Sequence, residues 1–358
     1  MKKSHFAFII HPIDESHLSR VGRQPDVDSG VFISPKRLIT LSFLVNGRSA
    51  TCDVILCPLL PEQMISDEPA AIRIILNCIE VAKEHGAELV GLGGFTSIIG
   101  NGGLDVAEKA PVPVTSGNTY TAASVVQSIS IAAKLVSMDL HNSCIAIIGA
   151  TGDIGSACAK ALAGSFQRMI LVARNDERLQ ELARVLKPKC RSVSIVKQAG
   201  RAAAGADVVI TVTSSLTTVI DANDLKKNTI ICDVSYPANI ARELHDERQD
   251  VLVYEGGIVS SQRLISQIEP TSIFWDFNPK DGMHACFVET LLLALEGIFT
   301  TYSIGRGLIS SEKMYEIRVT ADKYGFQPIL TWNDTQYDIS GGFHFNAGRA
   351  TQVSQRVG

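Results

Sequence analysis

Three features that would place a protein in a special class are missing from this 358-residue sequence. No run of about 18 apolar residues is present, so no segment has the length of a membrane-spanning helix. Blocks of basic residues, which are typical of nucleic-acid-binding proteins, are also missing. We therefore expect a chain that has no integral membrane segment and binds no nucleic acid. The third missing feature is a close pair of cysteines.

The eight cysteines lie mostly in apolar segments, and no two of them have CxxC spacing. This distribution is typical of reduced thiols rather than of disulfides or a zinc site, so we expect no metal. The opening residues, MKKSHFAFIIHP, have too short an apolar core for a secretory leader and are typical of a first strand. The sequence thus favours a cytoplasmic protein.

The composition that remains is that of a globular chain with about two domains: 46% hydrophobic residues, 20% charged residues and a formal net charge of −4. Residues 1–120 alternate strand-like and helix-like segments, which predicts an N-terminal α/β domain for the substrate. Within it, an apolar stripe over 68–85 predicts a helix that ends at Gly86. A second stripe predicts a connecting helix over 121–139.

The next predicted domain, residues 140–270, opens with a strand, a glycine turn and a helix in immediate succession. The run 144–148 is apolar throughout, as in a strand that is covered on both faces. Gly149 permits a tight turn, Gly152 lets the backbone approach a pyrophosphate, and Gly155 allows the helix to pack on the strand. We therefore expect a dinucleotide to be bound by Gly149, Thr151, Gly152, Asp153, Ile154 and Gly155.

Further strands and helices alternate through the rest of this domain, which predicts a doubly wound parallel sheet of the Rossmann type and an α/β protein overall. The predicted strand 207–212 ends at Thr213, and the strand 229–234 ends at Ser235. Both turns should edge the cofactor cleft, because ligands of such sheets bind at the carboxyl ends of the strands. Thr213 is therefore a candidate cofactor-binding residue.

The choice of cofactor is predicted from Arg174, which follows the domain's second strand nineteen residues after Gly155. Proteins that bind the unphosphorylated cofactor usually carry Asp or Glu there. A guanidinium instead suits a ribose 2′-phosphate, so the sequence favours NADPH. The alternative is that Arg174 is only a solvated residue at a strand end.

Two predicted strands of the first domain end in turns that are rich in glycine and hydroxyl side chains, at 93–97 and 115–119. Their position at strand ends makes Thr96, Ser97, Asn118 and Thr119 candidates for binding substrate or stabilising an oxyanion. Turn formation and helix capping use the same residue types, which leaves a structural role open.

The remaining chemical candidate is Cys286, in the first turns of an apolar helix predicted to run to about Ile298. Amides at the start of a helix favour a thiolate, so they predict a lowered pKa for this cysteine and a nucleophilic character. Cysteine is also among the most commonly buried residue types. From the pattern alone, a structural role is therefore favoured.

Seven segments in order resemble the long-chain fatty acyl-[acyl-carrier-protein] reductases of cyanobacteria. They are GLGGFTSII (91–99), TSGNTYTA (115–122), IGATGDIGSA (148–157), ARNDERL (173–179), EGGIV (255–259), ACFVETLLLALEG (285–297) and YGFQP (324–328). The resemblance implies that NADPH reduces an acyl thioester of acyl carrier protein or coenzyme A to a fatty aldehyde. It also implies that Cys286 carries the acyl group, within a helical segment, 271–330, that packs back on the chain.

Residues 331–358 have no clear counterpart in that family, and their polar composition suits a mobile tail or a lid. Two other functions stay open. One is an NADP-dependent alcohol dehydrogenase like shikimate dehydrogenase, which shares the two-domain layout but needs no cysteine. The other is a binding protein that responds to NADP without catalysing a reaction.

Overall fold

The computed structural model describes residues 4–15, 34–217, 219–267, 282–333 and 335–339. These described residues form two compact units. The first unit takes its residues from Met1–Tyr120, Ser260–Leu308 and Val319–Phe326, and the second takes its residues from Thr121–Val259, Ile309–Arg318 and Gln327–Gly358. Each unit is therefore built from segments that are distant in the sequence.

The first unit contains a mixed six-stranded sheet in the order β13-β2-β3-β1-β4-β5. Its strands are β1 Ser4–Ile10, β2 Lys36–Val45, β3 Arg48–Leu56, β4 Val90–Leu92, β5 Val114–Thr115 and β13 Leu264–Gln267. Strands β1, β3, β4 and β5 are parallel, whereas β2 is antiparallel to both β3 and β13. Asn46 and Gly47, with φ of 50° and 74°, connect β2 to β3 by the tight turn that such a hairpin requires.

The helices of the first unit include α1 Pro61–Ser66, α2 Glu68–Glu84, α3 Ile99–Ala107 and α9 Ala285–Glu296, with a 3₁₀ turn at Gly94–Ser97. Helix α2 confirms the stripe predicted over 68–85. Helix α4, Asn118–Leu135, begins in this unit and continues in the second, and helix α10, Ser311–Lys323, ends in the first unit.

Helix α9 packs on the first sheet and runs antiparallel to its parallel strands. The ring of Phe287 lies 5.0 Å from that of Phe8 and 5.7 Å from that of Phe43, centroid to centroid. At the far end of the helix, Arg48 at the start of β3 donates a hydrogen bond to the carbonyl of Leu295 at 2.7 Å. The first turn of α9, with Cys286, is thereby placed at the carboxyl edge of the sheet.

The second unit contains a fully parallel six-stranded sheet in the order β11-β10-β9-β6-β7-β8. Its strands are β6 Cys144–Ile148, β7 Arg168–Val172, β8 Ser192–Ile195, β9 Val208–Thr211, β10 Ile230–Asp233 and β11 Leu252–Glu255. The connecting helices are α5 Asp153–Leu162, α6 Asp176–Leu186, α7 Ala199–Ala204 and α8 Leu244–Glu247. The strand order reverses between β6 and β9, which confirms the predicted doubly wound sheet and marks its ligand-binding crevice.

The remaining strands are short: β12 Ile258–Ser260, β14 Met283–His284, β15 Gln327–Pro328, β16 Thr331–Trp332 and β17 Thr335–Gln336. Strands β16 and β17 pair as a hairpin, and the hydroxyl of Tyr337 donates to the carbonyl of Val253 in β11 at 2.8 Å. This part of the predicted tail is therefore packed on the second unit because its aromatic side chains are buried. Residues 340–358 of the predicted tail lie outside the described residues.

In the described ranges, no helix combines the length and the apolar character that crossing a membrane requires.

Candidate active site

The carboxyl edge of the first sheet brings together the turns that follow β1, β4 and β5 and the start of helix α9. The turn after β1 carries His11, the turn after β4 is Gly93–Ser97, and the turn after β5 begins at Ser116. Because the parallel strands all end at this edge, side chains from distant parts of the sequence converge there.

Cys286 is the second residue of α9 and is half-buried. Burial raises the pKa of its thiol to about 12, while backbone hydrogen bonds at the start of the helix act in the opposite direction and the charge of Glu289 adds to the rise. The expected lowering of this pKa was therefore wrong, since loss of solvent outweighs the amides of the helix start. At neutral pH the thiol is protonated in the resting protein.

The predicted turn 115–119 lies directly against this cysteine. Gly117 has a φ of 74°, and a Cβ atom built on it would lie only 2.2 Å from the Cα of Cys286. Glycine is required at this position for both reasons, because a side chain would be strained and would overlap the helix. The glycine of the TSGNT turn thus permits the contact between the turn and the cysteine.

The two hydroxyl candidates of the Gly93–Ser97 turn are committed to that turn. Thr96 Oγ1 donates to the carbonyl of Gly93 at 2.8 Å, and Ser97 Oγ donates to the carbonyl of Gly94 at 2.7 Å. Both protons are therefore used in turn formation, which counts against a role for either hydroxyl as an oxyanion donor.

The two candidates of the second turn differ from each other. Thr119 is fully buried, and its Oγ1 is hydrogen-bonded to Ser303 Oγ at 2.5 Å. Asn118 is 8% exposed, and its side-chain amide makes no hydrogen bond to any other residue in the described ranges. The Asn118 amide therefore still has donors available next to the residue that contacts Cys286.

His11 is a residue of this edge that sequence reasoning missed. Its Nε2 accepts a hydrogen bond from the amide of Phe95 at 2.9 Å, and its Nδ1 lies 2.8 Å from the carbonyl of Pro12. An accepting Nε2 leaves the proton on Nδ1, so the ring is neutral, and burial lowers its pKa in the same sense. His11 therefore fastens the Gly93–Ser97 turn to the end of β1.

A second group that the sequence did not single out is Glu289, one helical turn after Cys286. Its carboxyl group is fully buried and accepts hydrogen bonds from Thr115 Oγ1 at 2.6 Å and from the amide of Tyr120 at 2.8 Å. The sequence offered one signal for this residue, since Glu289 is an acidic residue inside an apolar helical stripe. Its hydrogen-bond partners could not be identified from the sequence because they lie far from it along the chain.

In the second unit, the glycine turn after β6 fits a bound dinucleotide. A Cβ at Gly149, which has a φ of 94°, would lie 2.1 Å from the carbonyl oxygen of Val212, and one at Gly155 would lie 2.3 Å from that of Gly149. A Cβ at Gly152 would meet only the oxygen of Gly149, at 3.3 Å. Two glycines are thus needed by the turn itself, while the third leaves space at the start of α5, where amides attract phosphate.

The other residues predicted at the cofactor lie around this turn. Thr151 precedes Gly152, and Asp153 and Ile154 begin helix α5. Arg174 is exposed just after β7 and forms no hydrogen bond or ion pair with another described residue. These positions fit the predicted cofactor contacts, which stay predictions.

Thr213 is held by the turn that follows β10. Its Oγ1 donates to Asn239 Oδ1 at 2.5 Å, and its amide donates to Ser235 Oγ at 3.0 Å. The buried carboxylate of Asp233 in turn accepts from the amides of Ser235 and Asn239, at 3.0 and 2.7 Å. The two loops that edge the predicted cleft are therefore fastened to each other, with the Thr213 hydroxyl proton used in that network.

If the pyrophosphate lies over Gly152, the variant Gly152→Val should weaken NADPH binding by roughly 10- to 100-fold, because overpacking of this size costs about 1–3 kcal/mol. Thermal unfolding should change little. Ala204→Val is the matched control, since it places a valine at an exposed position of helix α7 in the same unit. Calorimetric titration measures both affinities, and equal affinity of the Gly152→Val variant and the wild type would contradict the assignment.

Comparisons with known proteins found one matching family model and several solved structures with a similar fold. The shikimate/quinate 5-dehydrogenase family matches residues 130–255, which belong to the second unit. Among solved structures, L-tryptophan dehydrogenase from Nostoc punctiforme has a TM-score of 0.40 at 11% identity, over 90% of this chain and 80% of that one. Quinate dehydrogenase from Corynebacterium glutamicum in complex with NAD has a TM-score of 0.35 at 13% identity, over 66% and 81%.

Two curated relatives match most of the chain. The aminotransferase PigE of Serratia sp. is 31% identical over 287 residues, which are 79% of this chain but only 33% of that protein. The long-chain acyl-[acyl-carrier-protein] reductase of Synechococcus elongatus is 34% identical over 287 residues, which are 75% of this chain and 80% of that protein. The residues that match the reductase thus extend well beyond the dinucleotide-binding unit, and the chain belongs to the long-chain acyl-[acyl-carrier-protein] reductase family.

Proposed function

We propose that this protein reduces a long-chain acyl thioester to a fatty aldehyde with NADPH, through an acyl group carried on Cys286. The observation that carries the proposal is the packing of Gly117 against Cys286 at the carboxyl edge of the first sheet. This packing brings a turn with hydroxyl and amide side chains, 115–119, next to the cysteine. Acyl carrier protein is the proposed donor of the acyl group, as the name of the Synechococcus elongatus relative suggests.

The first step is acyl transfer to the protein. Sγ of Cys286 forms a bond to the acyl carbonyl carbon, the bond from that carbon to the carrier sulfur breaks, and the thiol proton ends on the departing carrier thiol. Because burial raises the pKa of Cys286 to about 12, its thiol is protonated before substrate arrives and loses its proton only as the bond forms.

The charge that develops on the carbonyl oxygen during this attack needs a donor. The amides of Asn118, Thr119 and Tyr120 already donate to Ser116 Oγ, Ser303 Oγ and Glu289 respectively. The side-chain amide of Asn118 has no such partner among the described residues, so it is the proposed oxyanion donor.

The second step is reduction of the thioester. When bound, NADPH supplies the hydride, and the residues that would hold it are those of the turn after β6 with Arg174. The acyl–sulfur bond of Cys286 breaks as the aldehyde forms, and the thiolate takes up a proton, which the raised pKa favours. The cysteine then returns to its starting state.

The variant Cys286→Ala tests the proposal. It should bind NADPH like the wild type but form aldehyde roughly 1,000-fold more slowly or not at all, because no other nucleophile replaces the missing sulfur. Cys190→Ala, at the other cysteine that is not fully buried, is the matched control and should keep full activity. If Cys286→Ala reduces acyl thioesters at nearly the wild-type rate, the mechanism is wrong, and an alcohol dehydrogenase reaction that needs no cysteine becomes the better explanation.

The preference for NADPH over NADH is tested at Arg174. Its substitution by Asp should weaken NADPH binding by roughly 10- to 100-fold, since a charge-assisted contact contributes about 1.5–3 kcal/mol, and should change NADH binding little. Arg184→Asp makes the same change in charge on helix α6, at a side chain paired with Glu181, and should affect neither cofactor. Titration of both cofactors measures the difference, and an equal loss for the two would refute the 2′-phosphate contact.

A further inference from the structure

Helix α9 buries a carboxyl group one turn after the cysteine. Glu289 has no exposed surface, although nearly all of its neighbours along the helix are apolar. Moving an ionisable group out of water is costly unless hydrogen bonds replace those that water made. The hydrogen-bond partners of Glu289 therefore indicate which segments its carboxyl group keeps in place.

Two donors reach this carboxyl group, one at each oxygen. Thr115 Oγ1 donates to Oε1 at 2.6 Å, and the amide of Tyr120 donates to Oε2 at 2.8 Å. Beside them, the Ser303 hydroxyl donates to Thr119 Oγ1 and accepts a hydrogen bond from the amide of Thr119. Glu289 thus ties helix α9 to the end of β5 and the start of α4, and its partner Thr115 lies 174 positions away in the sequence.

The segment at Ser303 carries an independent sign of constraint. Ser303 has a φ of 50°, a left-handed conformation that a serine adopts at a cost. Its carbonyl accepts a short hydrogen bond from the hydroxyl of Ser116, and its hydroxyl is bonded to Thr119. The turn after β5 therefore holds both the backbone and the side chain of Ser303. Such a conformation persists only where the surroundings impose it.

These hydrogen bonds fix the turn 115–119, which lies against Cys286 in the proposed acyl site. The residues that Glu289 holds, Thr115 and Tyr120, flank Gly117 on either side, and Gly117 is the residue in contact with Cys286. Asn118, the proposed oxyanion donor, lies between the same two anchors. A shift of this turn would therefore move the proposed donor relative to the sulfur.

Glu289 is poorly suited to be the base that deprotonates Cys286. Both oxygens of its carboxyl group already accept hydrogen bonds, one from Thr115 Oγ1 and one from the amide of Tyr120. Taking up the thiol proton would weaken these bonds, because a neutral carboxyl group is a weaker acceptor than a carboxylate. A fixed role in positioning agrees better with the geometry than a proton-transfer role.

We propose that Glu289 is a positioning residue for acyl transfer: its buried carboxyl group holds the Thr115–Thr119 turn against Cys286 and so places the Asn118 amide at the acyl carbonyl. This inference rests on the proposed function, because it assigns Glu289 to the acylation of Cys286. Glutamine has nearly the same shape but offers one oxygen and an NH₂ group, so Glu289→Gln turns one of the acceptors into a donor.

The experiment compares Glu289→Gln with the wild type in the full chain, using a long-chain acyl-coenzyme A as substrate. The variant should bind NADPH normally and should show a kcat for aldehyde formation lower by about 100-fold, as expected for misplaced groups. Glu296→Gln is the matched control, since it changes a glutamate in the last turn of the same helix, where its partners include Lys323 and Tyr324. That control should keep wild-type turnover.

A second readout separates a positioning role of Glu289 from a role as the base. The negative charge of Glu289 raises the pKa of the Cys286 thiol. Alkylation of Cys286 by iodoacetamide, followed by peptide mass spectrometry across pH, should therefore occur at lower pH in Glu289→Gln even though turnover falls. A base role predicts the opposite, namely slower alkylation together with slower turnover.

Several results would overturn the proposal. They are wild-type turnover in Glu289→Gln, alkylation that slows with turnover, or an alkylation profile that does not move. If Glu289→Gln fails to fold, Thr115→Val removes one donor with little change of shape and should lower kcat in the same direction; an unchanged kcat there would contradict the proposal. A wild type that cannot reduce any acyl thioester would refute the proposed function instead, while the alkylation profile would still test the coupling of Glu289 to Cys286.

Discussion

The close approach of Gly117 to Cys286 is the contact on which the first unit's site depends. It brings the end of β5 against the first turn of α9, and it is possible only because position 117 has no side chain. The aromatic cluster around Phe287 holds α9 on the sheet from one side of the cysteine, and the hydrogen bonds of Glu289 hold the turn from the other. Apolar packing sets the depth of the helix, and the buried polar cluster sets the position of the turn.

This arrangement explains why the cysteine has the opposite pKa shift from the one that the start of a helix predicts. Packing deep enough to bury Phe287 also removes water from Cys286, and desolvation of a thiolate outweighs the favourable amides. In the proposed mechanism, Cys286 is therefore activated by the substrate and by fixed hydrogen-bond donors, not by a lowered pKa. The cost of the buried polar cluster is then balanced by precise placement of the groups around one sulfur.

The second unit was the more predictable of the two, because its signals are local. The apolar run 144–148, the three glycines and the alternation that follows lie within consecutive segments, and each parallel strand pairs with a near neighbour in sequence. The sheet order and its crevice follow from these units and from the right-handed connection rule. The exposed position of Arg174 just after the second strand was likewise expected from the sequence, and its contact with a 2′-phosphate stays a prediction.

The first unit was less predictable because its contacts join distant segments. The Asn46–Gly47 turn is a strong hairpin signal that the strand prediction did not use, whereas the antiparallel pairing of β13 with β2 connects residues more than 200 positions apart. The same distance hides the role of Glu289, whose partner Thr115 lies 174 positions away. For Thr96 and Ser97, residue type suggested chemistry, but hydrogen bonds to the carbonyls of their own turn use both protons.

The acyl group is proposed to be carried on Cys286, and the mass of the wild-type protein after incubation with a long-chain acyl thioester in the absence of NADPH tests this. We expect a gain of one acyl group, located by peptide mapping on the segment that contains Cys286 and removed when NADPH is added. No adduct, or an adduct only on another residue, would contradict it.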